Sequence, residues 1–177
     1  MNAEELRQLQ APLKDRYRTD PDKALITLRA CGRLGESVAC NVETAQALVT
    51  AGLHPATGGD GTLACSGDML LQALVACAGV TLRAVATALG IELRAGEVSA
   101  EGDLDFRGTL GVARDAAVGF RDIRLHFALD TDASAETVAK LIQLTERYCV
   151  VYQTLRASPR IAISYATTTR GCEPPAR

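Results

Sequence analysis

Met69-Leu-Leu-Gln-Ala-Leu-Val-Ala-Cys77-Ala-Gly-Val-Thr-Leu82 is the most apolar stretch of the chain, and its reading decides the fold. Ser66 offers an N-cap in front of it, Asp68 puts a negative charge in the first turn, and Gly90 supplies a left-handed stop. Between these signals the sequence predicts a helix of about 22 residues, roughly 33 Å long at 1.5 Å per residue. It is apolar nearly all round, so it is expected to be a central helix surrounded by protein. Gln72 and Thr81 interrupt the run and Arg83 ends it, which reads as too short to span a bilayer.

On the N-terminal side, Leu6, Leu9, Leu13 and Tyr17 recur at helical spacing and predict an amphipathic helix over 3–18, ended near Asp20-Pro21. Residues 24–31 and 37–42 read as an antiparallel strand pair, with Gly32-Arg-Leu-Gly35 as its hairpin turn. Residues 44–50 read as a helical turn and the glycine-rich 52–62 as a loop. On the C-terminal side, 97–103 and 123–129 read as strands. The second alternates Ile123, Leu125, Phe127 and Leu129 with Arg124, His126 and Ala128. Asp132 or Ser134 caps a further helix with Val138, Leu141, Ile142 and Thr145 on one side. Cys149 closes its run, Pro159 breaks it at the latest, and 160–165 reads as a closing strand before a loose tail over 170–177. The expectation is one α+β domain over 1–177 with its core at about 24–166.

Composition narrows the function classes. The chain has 177 residues, no Trp, three Phe and four Tyr, so Ala, Leu and Val must fill the interior, which suits close helix packing. A formal net charge of −2 gives no electrostatic case for nucleic acid or an anionic membrane. Met-Asn-Ala-Glu-Glu-Leu-Arg has neither the basic nor the apolar region of a secretory signal, so the cytoplasm is the expected location. There are six cysteines but no C-x-x-C pair, and only two histidines, His54 and His126, so no metal site is expected. In a reducing compartment such thiols are core filler or redox-active.

Cys77 poses the chemical question. An ordinary thiol, with a pKa of about 8.5, is only a few per cent thiolate at neutral pH. Apolar burial pushes that pKa higher, and a helix dipole fades after the first turn, well before Cys77. A reactive Cys77 therefore calls for a nearby cation. Lowering its pKa by three units takes about 4 kcal/mol, which a desolvated arginine held by a carboxylate can supply. A competing motif, Gly58-Gly-Asp-Gly-Thr-Leu63, resembles the phosphate loop of the NAD kinase and diacylglycerol kinase superfamily. Residues 52–57 offer no buried strand to anchor such a loop. The plainer reading is a glycine-rich connection packed on the central helix, with a nucleotide kinase as the weaker alternative.

Ser66-Gly-Asp-Met-Leu-Leu-Gln-Ala-Leu-Val-Ala-Cys77 resembles the cysteine helix of the OsmC/Ohr family, the osmotically inducible and organic-hydroperoxide-resistance proteins. Thr145-Glu-Arg-Tyr-Cys-Val-Val-Tyr-Gln-Thr-Leu155 is similar to the family's second cysteine motif, with Val150 where proline frequently stands. Gly58-Gly-Asp60, Gly90-Ile-Glu-Leu93 and Glu101-Gly-Asp-Leu-Asp105 fit the same pattern, so the resemblance covers 24–166. It implies an OsmC-like α+β fold, with antiparallel sheets around a long buried helix, in an intertwined homodimer whose active sites lie at the subunit interface.

The same resemblance implies a cofactor-free thiol peroxidase acting on organic hydroperoxides. Cys77 would be the attacking thiol and Cys149 the resolving one, with a dithiol such as a lipoyl-bearing protein as reductant. Gly32-Arg-Leu-Gly35 resembles the turn that carries the activating arginine. That makes Arg33 the candidate, Asp68 its anchor and Arg29 the reserve. The alternative within the fold is a non-enzymatic redox sensor or small-ligand-binding protein. Cys31, Cys40 and Cys65 read as filler, Cys172 as a bystander, and His54 and His126 as structural or solvent-facing.

Overall fold

The computed structural model describes residues 2–19, 31–34, 39–43, 48–111 and 113–167, the first two strands by their backbone alone. In chain order the elements are α1 (Ala3–Thr19), β1 (Cys31–Leu34), β2 (Ala39–Glu43), β3 (Leu48–Gly52), β4 (Ala64–Cys65) and α2 (Ser66–Leu89). There follow β5 (Ala95–Leu104), α3 (Phe106–Thr109), β6 (Phe120–Asp130), α4 (Ala135–Tyr148) and α5 (Val150–Arg156). The strands form a four-stranded sheet ordered β1-β2-β3-β4 and a separate β5–β6 ribbon. The mixed α+β class expected from sequence is the one observed.

The long apolar helix forms with 24 residues. Gly90 ends it in the left-handed region at φ 68°, its N–H returning to Ala86 and Thr87 carbonyls, as a C′ glycine does. The start differs from expectation: Cys65 takes the extended cap position without a side-chain cap bond, and Ser66 is already helical. By length and composition α2 is apolar enough to cross a membrane, contrary to the sequence reading, but a core helix passes the same test. Here it packs against β5, α4, α5 and α1.

Leu74, Ala78, Leu82 and Ala86, spaced by one helical turn, are its buried residues. The alanines, 0% and 1% exposed, let neighbouring elements approach closely. Leu82 and Ala86 join Leu93 and Leu141 in the core, with Phe127, Leu129 and Ile142 packed around them. The helix is not enclosed by its own chain, however. Leu70, Val80 and Leu89 are exposed, Val80 by 74%.

The β5–β6 ribbon is longer than predicted but alternates as read. Ile123, Leu125, Phe127 and Leu129 are half-buried while Arg124, His126 and Ala128 face water. On the exposed side Arg124 bridges Asp103 and Asp122, and Arg94 joins Asp130 and Asp132 beside the ribbon. Of the two proposed caps, Ser134 is the one used, its hydroxyl accepting from the Thr137 N–H at 3.2 Å.

Three other expectations are corrected. Gly32-Arg-Leu-Gly35 is not the hairpin turn: Gly32–Leu34 lie in β1, with Arg33 opposite Asn41 and Leu34 opposite Cys40. That register pushes the connection to 35–38, outside the described residues, as are 24–30 of the first predicted strand. The helical turn over 44–50 gives way, at Leu48 to Thr50, to β3, where Val49 pairs with Val42 and β-branched residues suit a pleated surface. Residues 44–47 lie outside the described residues. The predicted strand 160–165 forms no ladder with the described strands, and Ile161, Ile163 and Tyr165 stand 80–91% exposed. The run over 135–148 closes at Cys149 as read, and a second short helix, α5, follows before Pro159. The residues of the tail, from 168 on, lie outside the described residues.

Candidate functional site

Cys149 is at once the C-cap of α4 and the N-cap of α5, in an extended conformation with φ −73° and ψ 110°. Its N–H completes α4 by donating to the Thr145 carbonyl at 2.9 Å, and its carbonyl opens α5 by accepting from Gln153 at 3.0 Å. The Gln153 side chain donates to the Glu146 carbonyl at 2.7 Å and ties the two helices together. This break re-aims the chain. The first N–H groups of α5, which have no partner within their own helix, turn toward α2.

They meet Cys77. Its half-buried sulfur lies near the backbone N–H groups of Val151 and Val150, the Cys149 thiol and the Thr81 hydroxyl, each of which favours its charged form. Burial pushes the Cys77 thiol up, but these contacts outweigh it and hold the pKa below the ordinary thiol value. Val150 can take part because it carries an N–H, which a proline at that position would lack. Cys149 is the opposite case. It is 1% exposed, and burial together with the neighbouring Cys77 sulfur raises its pKa, against the lowering contacts of the Tyr152 and Val151 N–H groups. Two facing thiols with divergent acidities give one group suited to ionise and one suited to remain protonated.

Of the other predicted residues, only Asp68 can be placed by its side chain, and it is not at the sulfur. Asp68 lies nine positions earlier on α2, roughly 14 Å along its axis, is exposed, and forms no ion pair with the described residues. Arg33 is placed only by the backbone of β1, and Arg29 lies outside the described residues. Sequence reasoning sought a cation and missed the amides. The available signal was the residue after Cys149: its N–H mattered, but only the helix break aims it.

A cavity of about 520 Å³ is lined by Leu74, one turn before Cys77, and by Tyr152, three residues after Cys149, though by neither cysteine itself. Its walls include Ile123, Leu125 and Phe127, while Arg121 and Arg156 are exposed charged residues at its edge. With Asp122 and Glu146 also in its lining, the space offers both apolar and charged surface to an organic molecule. Among the described residues no cluster of His, Cys, Asp or Glu is arranged to hold a metal ion. Cys65 is half-buried; the side chains of Cys31 and Cys40, and all of Cys172, lie outside the described residues.

The Gly58-Gly-Asp-Gly-Thr62 loop is explained by its own packing. A Cβ on Gly59 would stand 1.8 Å from the Leu53 carbonyl oxygen, so the chain folds tightly on its own backbone there. Asp60 spends its carboxylate on the Thr62 N–H and hydroxyl, at 2.9 and 2.7 Å. The loop thus packs chiefly on 53–54 rather than on the helix alone, and an acidic side chain turned to its own turn leaves no case for a phosphate cradle.

Comparison with known proteins agrees with the geometry. No curated protein matches. Among solved structures, an OsmC-like protein from Mycoplasma pneumoniae superposes with a TM-score of 0.63 at 20% identity, covering 75% of this chain and 89% of that one. An organic hydroperoxide resistance protein from Elizabethkingia anophelis gives a TM-score of 0.61 at 16% identity, covering 76% and 91%. A Legionella pneumophila organic hydroperoxide resistance protein, OsmC, gives 0.58 at 20%, covering 75% and 91%. At such identities the likeness shows the fold. The family model for OsmC-like proteins matches residues 59–164, from the glycine-rich loop through both cysteine helices, and the chain belongs to the OsmC-like family.

Proposed function

We propose that the protein is a cysteine-based peroxidase that reduces organic hydroperoxides in the cytoplasm. The observation that carries this reading is the meeting of Cys77 and Cys149, the first with a lowered and the second with a raised pKa. The Cys77 thiolate attacks the distal oxygen of R–O–OH, forming Cys77 sulfenic acid as the O–O bond breaks, and the departing alkoxide takes up a proton to leave as the alcohol. The Cys149 sulfur then displaces water from the sulfenic acid and closes a disulfide. An external dithiol supplies the two electrons that reopen it and is itself oxidised. The neighbouring cavity, with Ile123, Leu125 and Phe127 in its walls and Arg121 and Arg156 among its charged lining, has room for an organic group. Arg33, with Asp68 as its anchor, remains a candidate for a further charge near the thiolate, supplied within the chain or from a second copy.

A homodimer belongs to the same reading. Val80, Ile161, Ile163 and Tyr165 are each at least 74% exposed, an apolar surface that a second copy would cover. Size-exclusion chromatography is expected to give a dimer; a monomer would remove this part.

Mass spectrometry after one equivalent of cumene hydroperoxide tests the chemistry. A Cys77–Cys149 bridge is the expected product, and oxidation confined to Cys65 or Cys172 would overturn the assignment. Repeated consumption of peroxide with dihydrolipoamide separates an enzyme from a stoichiometric sensor of the same fold, which would consume one equivalent and stop.

A further inference from the structure

In a continuous helix the carbonyl of residue 146 would accept from the N–H of residue 150, four positions on. This chain does otherwise. Cys149, extended at ψ 110°, interrupts the run, and Val150 makes no bond back to Glu146 among the described residues. The carbonyl so released belongs to a half-buried residue in the last turn of α4, where an unmet acceptor is costly. Gln153 meets it. Its side-chain amide donates to the Glu146 carbonyl at 2.7 Å, while its own N–H donates to the Cys149 carbonyl at 3.0 Å. One residue thus holds the chain on both sides of the break. Cys149 lies between them, 1% exposed, where α4 and α5 both pack on α2.

The residue after the cysteine does not itself enforce this break. A proline there would, because it lacks the N–H and its ring clashes with the carbonyl four residues back. Val150 keeps its N–H and could continue the helix. We propose that Gln153 is a positioning residue for Cys149: its amide takes the carbonyl that Val150 would otherwise bond, and so keeps α4 and α5 from fusing into one helix. Fusion would turn the Cys149 ψ from 110° to about −42° and swing α5 to a new direction, changing how the two thiols approach. The purpose of holding Cys149 in place rests on the peroxidase reading; the test does not.

Diamide oxidises two thiols to a disulfide and is itself reduced to the hydrazine, so it probes the pairing without peroxide. The rate of Cys77–Cys149 bridging is followed in the intact protein by peptide-resolved mass spectrometry after an alkylation quench. In Gln153→Leu it is expected to fall about 10- to 100-fold, since a misplacement of about 1 Å can cost on the order of 100-fold. Gln153→Glu, whose carboxylate cannot donate at neutral pH, removes the same bond should the leucine variant fold poorly. Adding Val150→Pro to either is expected to recover most of the rate, because proline at the first helical position imposes the break without a donor. A general loss of stability would not be repaired in this way. A folded Gln153→Leu that bridges at the parent rate, or a proline that restores nothing, overturns the role of Gln153. A parent that forms no bridge overturns it together with the peroxidase reading. Bridging without peroxide turnover in the parent removes the peroxidase reading alone, and the variants still decide the role of Gln153.

Discussion

Cys77→Ser is expected to abolish peroxide turnover, by at least about three orders of magnitude, because the remaining thiol at the site, Cys149, is buried and held protonated by a raised pKa. A serine hydroxyl is far too weak an acid for the amides of α5 to ionise at neutral pH, so geometry alone cannot rescue it. Cys149→Ser is expected to separate the half-reactions. The first equivalent of peroxide should still be reduced, with a dimedone-reactive sulfenic acid accumulating on Cys77, while steady-state turnover with a dithiol collapses. Full turnover in Cys77→Ser would refute the proposed chemistry.

The pH profile follows from the same contacts. The first step should rise with pH as Cys77 ionises, with its midpoint below the ordinary thiol value, since the net effect of its surroundings is a lowered pKa. The resolving step uses a thiol whose pKa is raised. Resolution is therefore expected to lag attack near neutrality, and stopped-flow measurement of sulfenic acid against disulfide distinguishes the two.

Leu141→Ala is expected to give the largest loss of stability among single truncations. Leu141 is 0% exposed and lies where α4 meets Leu82 and Ala86 of α2 and Leu93. Removing its isobutyl group forfeits the transfer energy and leaves a cavity that rigid helices cannot collapse, a cost of about 2–5 kcal/mol. In a chain of this size that is a fall in melting temperature of roughly 5–15 °C, read at fixed protein concentration because assembly would shift it. The consequence reaches the thiols: Leu141 and Thr145 anchor the face of α4 whose last turn presents Cys149. A change under 1 kcal/mol would mean that α4 is held mainly from elsewhere.

Much of this arrangement was legible in residues. The apolar run from Met69, its glycine stop, the alternation from Ile123 to Leu129 and the run ending at Cys149 each express a local rule: helix period, left-handed cap or strand pleat. Local rules failed where partners decide. Thr44 to Thr50 carries a helix-compatible pattern, but Val49 is a strand residue because Val42 lies beside it. Residues 160–165 alternate like a strand but find no ladder among the described strands, since pairing is a property of two segments rather than one.

The sequence by itself determined that a long apolar helix carries one cysteine and that a second helix ends in another, because periodicity and capping are written within a few residues of each position. Only the tertiary structure decided that the two cysteines meet and what backbone surrounds the first. A thiol inside a greasy helix calls for a stabilising partner, and the extended backbone of Cys149 restarts the chain as α5 and brings the Val150 and Val151 amides near the Cys77 sulfur. Backbone N–H groups belong to every residue but proline, so they leave no mark in the sequence until the fold points them somewhere.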